Sequence, residues 1–225
     1  MSVDLGRRAI AELLGTGLLV ATVVGSGIMA ERLADGNVGL ALLCNAVATG
    51  CGLAALILTF GAVSGAHFNP AVSLADAASG GLRWGDVPAY VAAQMIGGIG
   101  GTAVAHAMFE LPLFVASAHA RSGSGQLIAE GVATFGLLAT IFGVSRRTPA
   151  ATPYAVALYI VAAYWFTAST SFANPAVTVA RTLTDTFAGI RPADAPAFVV
   201  AQLLGAAGAT VLFRWLVPQV AARAV

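Results

Sequence analysis

Ser64-Gly65-Ala66-His67-Phe68-Asn69-Pro70-Ala71-Val72 in the first half of the chain, and Phe172-Ala173-Asn174-Pro175-Ala176-Val177 in the second, are the stretches whose reading decides the fold. In each, the Asn-Pro step marks a helix start. Asn is among the best acceptors for the open N–H groups of a first turn, and Pro is tolerated there because its missing N–H would have no partner. The apolar segments that follow, 69–79 and 174–184, run for only about ten residues, roughly half of what crossing a bilayer requires. They are expected to be half-spans.

The rest of the composition supplies the solvent in which those half-spans sit. Of 225 residues, 58% are hydrophobic and only 9% charged, too apolar for a soluble domain with a charged surface. Full spans are expected at 9–29, 38–60, 87–109, 126–145, 153–168 and 195–217, which leaves no room for a separate soluble domain. The chain 1–225 therefore reads as a single all-α transmembrane domain. The first apolar stretch follows Arg7 and Arg8, contains Glu12 and lacks a clear small-residue cleavage site, so it reads as a retained span rather than a leader. At bilayer depth an exposed helix terminus is tolerated only when it is buried in protein or lines a watery cavity. Two such starts predict a cavity.

The chain also repeats itself. Ala11-Glu12-Leu13-Leu14-Gly15 answers to Ala129-Glu130-Gly131-Val132-Ala133, Asn69-Pro70-Ala71-Val72 to Asn174-Pro175-Ala176-Val177, and Ala93-Gln94 with Gly97 to Ala201-Gln202 with Gly205. Each half, approximately 1–115 and 120–225, carries an odd number of full spans, so the second enters the bilayer from the opposite side. The two half-span starts then converge. Each helix N-terminus carries roughly half a positive charge, so together they repel cations and protons. The amides of Asn69 and Asn174 can meanwhile donate to the oxygen of a passing neutral solute.

Charge and reactive side chains narrow the function further. Net charge is +1, all eleven cations are Arg, and no basic cluster exceeds a pair, which argues against nucleic-acid binding. With the amino terminus inside, Arg7, Arg8, Arg83, Arg146, Arg147, Arg214 and Arg223 fall on the cytoplasmic side, against Arg32, Arg121, Arg181 and Arg191 outside. Both termini are thus expected in the cytoplasm. Cys44 and Cys51, seven apart in one apolar segment, cannot bridge each other and read as packing residues of the second span. His106 and His119 have no spacing that suggests a metal site. No nucleophile with a base is evident, so no enzyme, catalytic residue, cofactor or metal is expected.

At these residues the chain resembles the major intrinsic proteins, the aquaporins and aquaglyceroporins. The match is closest over Ser64 to Val72 and extends through Glu12, Glu130, Gln94 and Gln202. The resemblance implies an aquaporin-like bundle of six spans and two re-entrant half-helices, set among membrane lipids as a homotetramer with one pore per subunit. It also implies that Glu12 and Glu130 bind the backbone of the re-entrant loops. Family members generally carry Arg three residues after the second Asn, where this chain has Val177. Carrying over the other constriction positions by spacing gives Thr49, Ala162 and Ser171, all small. That opening lacks the aromatic and arginine walls of water channels and glycerol facilitators.

The segment Phe172 to Arg181 is similar to a bacterial aquaglyceroporin branch associated with arsenic resistance, which implies a multi-pass protein of the bacterial inner membrane. The expected function is passive passage of small neutral solutes: water, glycerol and metalloid hydroxides such as arsenous acid. A strict water channel, an oxyanion or ion conductor and a secondary transporter stand as alternatives. Arg181, one turn beyond Val177, either reaches back to restore the missing charge or pairs with loops or solvent, the latter being favoured. Asp76 holds the matching place after Asn69 and is read in the same structural way. His67 either lines the pore or packs in its loop, with packing favoured. The Gly97 and Gly101 pair and the Gly205 to Gly208 pair serve either oligomer contacts or packing within the subunit.

Overall fold

A computed structural model describes residues 3–216. Its helices are α1 (Leu5–Leu33), α2 (Val38–Ser64), α3 (Pro70–Ala78), α4 (Val87–Met108), α5 (Ser124–Ser145), α6 (Thr152–Phe166), α7 (Pro175–Ala180) and α8 (Ala195–Leu216). Short 3-10 turns at Trp84–Asp86 and Pro149–Ala151 lead into α4 and α6, and Arg181–Leu183 extends α7. With those lead-in turns counted, six helices are long and apolar enough to cross a membrane. The expected spans are all present, and the two half-spans are the short helices α3 and α7. Helix α1 starts earlier than the apolar pattern suggests because Asp4 caps it, its carboxylate accepting from the Arg7 N–H at 3.0 Å. Residue 217, expected to end the last span, and Arg223 lie outside the described residues.

The inverted repeat is visible in the packing. Helix α1 packs on α2 and α4, while α5 packs on α6 and α8 in the same relation, and α2 meets α6 between the halves. Half-helices α3 and α7 both wedge between α4 and α8. Helices α1 and α4 run parallel: Arg8 pairs with Asp86 at 2.8 Å where both begin, and Arg32 donates to the Phe109 carbonyl at 3.4 Å where both end. One face of the bundle thus carries the starts of α1 and α4 and the end of α2. The opposite face carries the ends of α1 and α4 and the start of α5.

Small residues set the helix spacing. A Cβ on Gly97 would fall on the backbone oxygen of Leu13, one on Gly101 on that of Gly17, and one on Gly205 on that of Gly131. These glycines therefore serve close packing of α4 on α1 and of α8 on α5 inside the subunit, and Gly208 faces Phe135 of the same chain. Gly97, Gly101 and Gly205 are thereby assigned to packing within the subunit, whereas Gly208 is exposed on α8. Large apolar side chains such as Ile10, Leu58, Ile96, Leu158 and Leu204 point outward, as a bilayer solvent requires. Cys44 and Cys51 are also exposed on the outer side, contrary to the packing role expected of them. The inward stripe of α2 is Asn45, Thr49 and Leu53 at four-residue spacing, and both cysteines lie off it.

Replacing Gly97 or Gly205 with Leu should each cost about 3 kcal/mol or more by forcing apart α1 and α4 or α5 and α8. Gly100→Ala, at a position with open space around its side, should stay within about 1 kcal/mol. Thermal unfolding in detergent reads both; equal melting for Gly97→Leu and Gly100→Ala would contradict the packing assigned here.

Candidate functional site

The site is built around the two asparagines. Asn69 caps α3 by accepting from the Ala71 N–H at 2.9 Å, and Asn174 caps α7 by accepting from Ala176 at 3.0 Å and Val177 at 3.3 Å. Their amide nitrogens reach across the pseudo-two-fold. Asn69 Nδ2 donates to the Ala173 carbonyl and Asn174 Nδ2 to the Phe68 carbonyl, each at 2.8 Å. The half-helix starts are thereby locked tip to tip. An Asn amide has two N–H donors. The exchange uses one from each residue, and both residues line the same cavity.

Holding this arrangement strains the loops. Phe68 and Ala173, immediately before the asparagines, have φ of 50° and 47°, and Ala66 and Ser171 have 52° and 51°. Left-handed backbone at residues other than Gly costs on the order of 1–3 kcal/mol each and persists only where surroundings enforce it. The enforcement comes from Glu12 and Glu130, both fully buried. Glu12 accepts from the N–H groups of His67 and Phe68 at 2.9 and 2.7 Å, from Ser64 Oγ at 2.6 Å and from Gln94 Nε2 at 2.8 Å. Glu130 accepts from the N–H groups of Phe172 and Ala173, both at 2.9 Å, and from Gln202 Nε2 at 2.6 Å. The same glutamines reach the half-helices: Gln94 donates to Ser73 Oγ at 2.9 Å and Gln202 to Thr178 Oγ1 at 2.8 Å. Each buried carboxylate is satisfied by donors rather than by a cation, the condition for keeping it in an apolar interior.

Between the loops lies a cavity of about 350 Å³. Its walls are largely apolar, from Leu19 and Val23 of α1 to Ile160 of α6, with polar groups concentrated at the loops and the two ends. Toward the opposite face it is lined by Thr49, Tyr164, Ser171, Val177 and Arg181. Three of the four constriction residues expected from spacing are there, but Ala162 is not: it is exposed on the outer side of α6. The lumen stripe of α6 is Val156, Ile160 and Tyr164, four apart, and a residue two positions from Tyr164 lies on the far side of the helix. Tyr164 lines the cavity there instead, its hydroxyl donating to Thr49 Oγ1 at 3.3 Å. The lining at this end is therefore not made of small residues alone, contrary to the expectation from spacing. The four-residue rhythm Val156, Ile160, Tyr164 carried the signal for it.

Arg181 is 2% exposed and lines the cavity rather than reaching into solvent. Its Nε donates to the Ala188 carbonyl, and its guanidinium carbon stands 3.4 Å from the centre of the Phe172 ring. Arg121, in the segment joining α4 to α5, stands 5.0 Å from the same ring and donates to the Gly189 carbonyl at 2.8 Å. Burial pulls the Arg121 guanidinium below its usual range, and the charge of Glu130 draws it partly back. At the other end His67 and Asp76 both line the cavity. His67 Nε2 is 3.5 Å from Asp76 Oδ2, and its Nδ1 is 3.0 Å from Ser73 Oγ. His106, with no assigned role, is buried between the Pro112 carbonyl and Thr184 Oγ1, where it braces the loops of the opposite face. Among the described residues no cluster of His, Cys, Asp and Glu could hold a metal ion.

Glu130→Gln replaces one acceptor oxygen with a donor facing an N–H, so at least one of Phe172 and Ala173 loses its partner. The expected loss is about 2–3 kcal/mol, read as a lower melting temperature in detergent. An unchanged melting temperature would remove Glu130 from its place as the clamp of this loop.

Comparisons with known proteins agree with this fold. The family model described as major intrinsic protein matches residues 1–153 and 148–225. Aquaglyceroporin AqpS of Rhizobium meliloti (strain 1021) is 59% identical over 213 residues, covering 95% of this chain and 91% of that protein. Aquaglyceroporin-3 of Trypanosoma brucei brucei is 39% identical over 128 residues, 56% of this chain and 38% of that one. The X-ray structure of the aquaglyceroporin from Plasmodium falciparum superposes with a TM-score of 0.74 at 21% identity, covering 96% of this chain and 98% of that one, which supports the fold. Two half-helices joined tip to tip inside six spans, together with these matches along the whole chain, show that the protein belongs to the major intrinsic protein family.

Proposed function

We propose that the protein is a passive channel for small neutral solutes, passing water, glycerol and, by its width, metalloid hydroxides such as arsenous acid. The observation that carries the proposal is the amide exchange at the waist. Each Asn amide keeps one N–H after bonding the opposite loop, and both side chains line the cavity. A solute oxygen passing between them meets two donors, while its carbon side meets the apolar wall of Leu19, Val23 and Ile160. That pairing of one polar and one apolar side suits a compact polyol. The names of the relatives, two of them aquaglyceroporins, point the same way.

In this reading the selectivity filter is Thr49, Tyr164, Ser171 and Val177, with Arg181 one turn beyond Val177 supplying the cationic group. Val177 leaves width where the family's usual arginine would stand. The face bearing Arg7, Arg8, Arg146 and Arg147 is the cytoplasmic one, and the apolar outer faces are covered by lipid and by neighbouring subunits of a homotetramer.

Swelling of reconstituted vesicles in gradients of glycerol, urea and arsenous acid, and shrinkage in a water gradient, test the proposal. Wild type should pass glycerol without saturation and without a coupling ion. Val177→Arg should slow glycerol and arsenous acid more than water, and Tyr164→Ala should speed the larger solutes. Equal effects on every solute would remove these positions from the filter, and uphill accumulation driven by sodium or protons would overturn the channel itself.

A further inference from the structure

Asp76 and Arg181 occupy equivalent positions of the inverted repeat, each seven residues beyond its capping Asn. They are also the Asp, Glu and Arg side chains that line the cavity, among the described residues. Because α3 and α7 run away from the waist in opposite directions, the acid stands toward the face that carries the end of α2 and the base toward the other. Two of the arginines assigned to that face have partners of their own. Arg8 and Asp86 pair with each other at 2.8 Å, and Arg146 donates to the Phe213 carbonyl at 2.7 Å. His67 is the titratable group that touches it, at 3.5 Å.

The consequence follows from adding the charges along the lumen. Arg181 is positive at one end, and the two helix N-termini add roughly half a positive charge each at the waist. Up to that point the path repels cations and attracts anions. A small anion is therefore drawn from the Arg181 end to the waist, and beyond it Asp76 is the acidic side chain on the lumen wall among the described residues, a charge barrier added to the cost of desolvation along the apolar walls. We infer that Asp76 is a specificity-determining residue, the negative charge that keeps small inorganic anions from completing the passage that Arg181 and the half-helix termini would otherwise favour. This rests on the channel reading above. Asp76 is positioned for the task by the network that holds the half-helix: Gln94, bonded to Glu12, donates to Ser73 Oγ, and Ser73 also meets His67 Nδ1.

Nitrate serves as the anion and glycerol as the neutral reference. Phosphatidylcholine vesicles bearing wild type, Asp76→Asn or Asp76→Glu are exposed to a potassium nitrate gradient with valinomycin present, so that nitrate movement limits swelling. Asp76→Asn should raise the ratio of nitrate to glycerol flux by about tenfold or more, since a unit charge beside a low-dielectric lumen is removed. Asp76→Glu should keep the wild-type ratio, which a merely structural role for the residue would not require. An unchanged ratio in Asp76→Asn overturns the inference, whether the two fluxes stay level or fall together, and so does a wild-type protein that passes nitrate as readily as glycerol. Wild-type vesicles that pass no glycerol would instead sink the channel reading, and the inference with it.

Discussion

The crossed donation between Asn69 and Asn174 is the constraint on which the remaining structure depends. A half-helix that ends inside a bilayer leaves several N–H groups without partners, a cost of several kcal/mol in hydrocarbon. Here the capping oxygens satisfy part of that demand and the amide nitrogens tie each tip to the other loop's carbonyl. Neither half-helix is stable at that depth alone, so the two halves of the chain depend on each other. Their shared surface is also where polar groups must face an open lumen.

From that junction the supporting shell follows. Bringing Phe68 and Ala173 into left-handed backbone aims their carbonyls at the opposite asparagines, and Glu12 and Glu130 hold the strained loops by their N–H groups. Those carboxylates in turn need donors, which Gln94 and Gln202 supply from α4 and α8. Helices α4 and α8 can deliver them only by lying close to α1 and α5, and glycine at positions 97, 101 and 205 permits that approach. Each layer exists to satisfy the polar groups of the one inside it. The arrangement is repeated in both halves almost residue for residue, while the charges that line the cavity, Asp76 and Arg181, break the symmetry.

Much of this was legible in the residues themselves. Asn-Pro starts in an apolar chain predict buried helix termini, and the repeat of Glu, Asn-Pro-Ala and Gln predicts their opposition, so the fold and the waist read directly. The constriction was less legible. Counting back from Asn174 assigned Ala162 to the lumen, but loop length between a span and a half-helix is free to vary, whereas helical phase is not. Following the phase of Val156 and Ile160 leads to Tyr164 instead. Arg181 and Asp76 hold matching positions in the sequence, yet whether a side chain two turns past the cap turns to loop, solvent or lumen depends on tertiary packing against Phe172 or Gly81. The outward placement of Cys44 and Cys51 was hidden for another reason: in a membrane, apolar character does not distinguish the inner face of a span from the outer.

The most direct test of the central claim is solute flux through a protein whose waist can cap but not donate. Asp caps a helix as Asn does but has no N–H to give, so Asn69→Asp combined with Asn174→Asp removes the amide donors while leaving the capping oxygens. Glycerol flux per inserted protein, measured by stopped-flow light scattering beside wild type, should fall by about tenfold or more, because the donors to solute and those to the Phe68 and Ala173 carbonyls are lost together. Glycerol flux equal to wild type in the double variant would contradict the account.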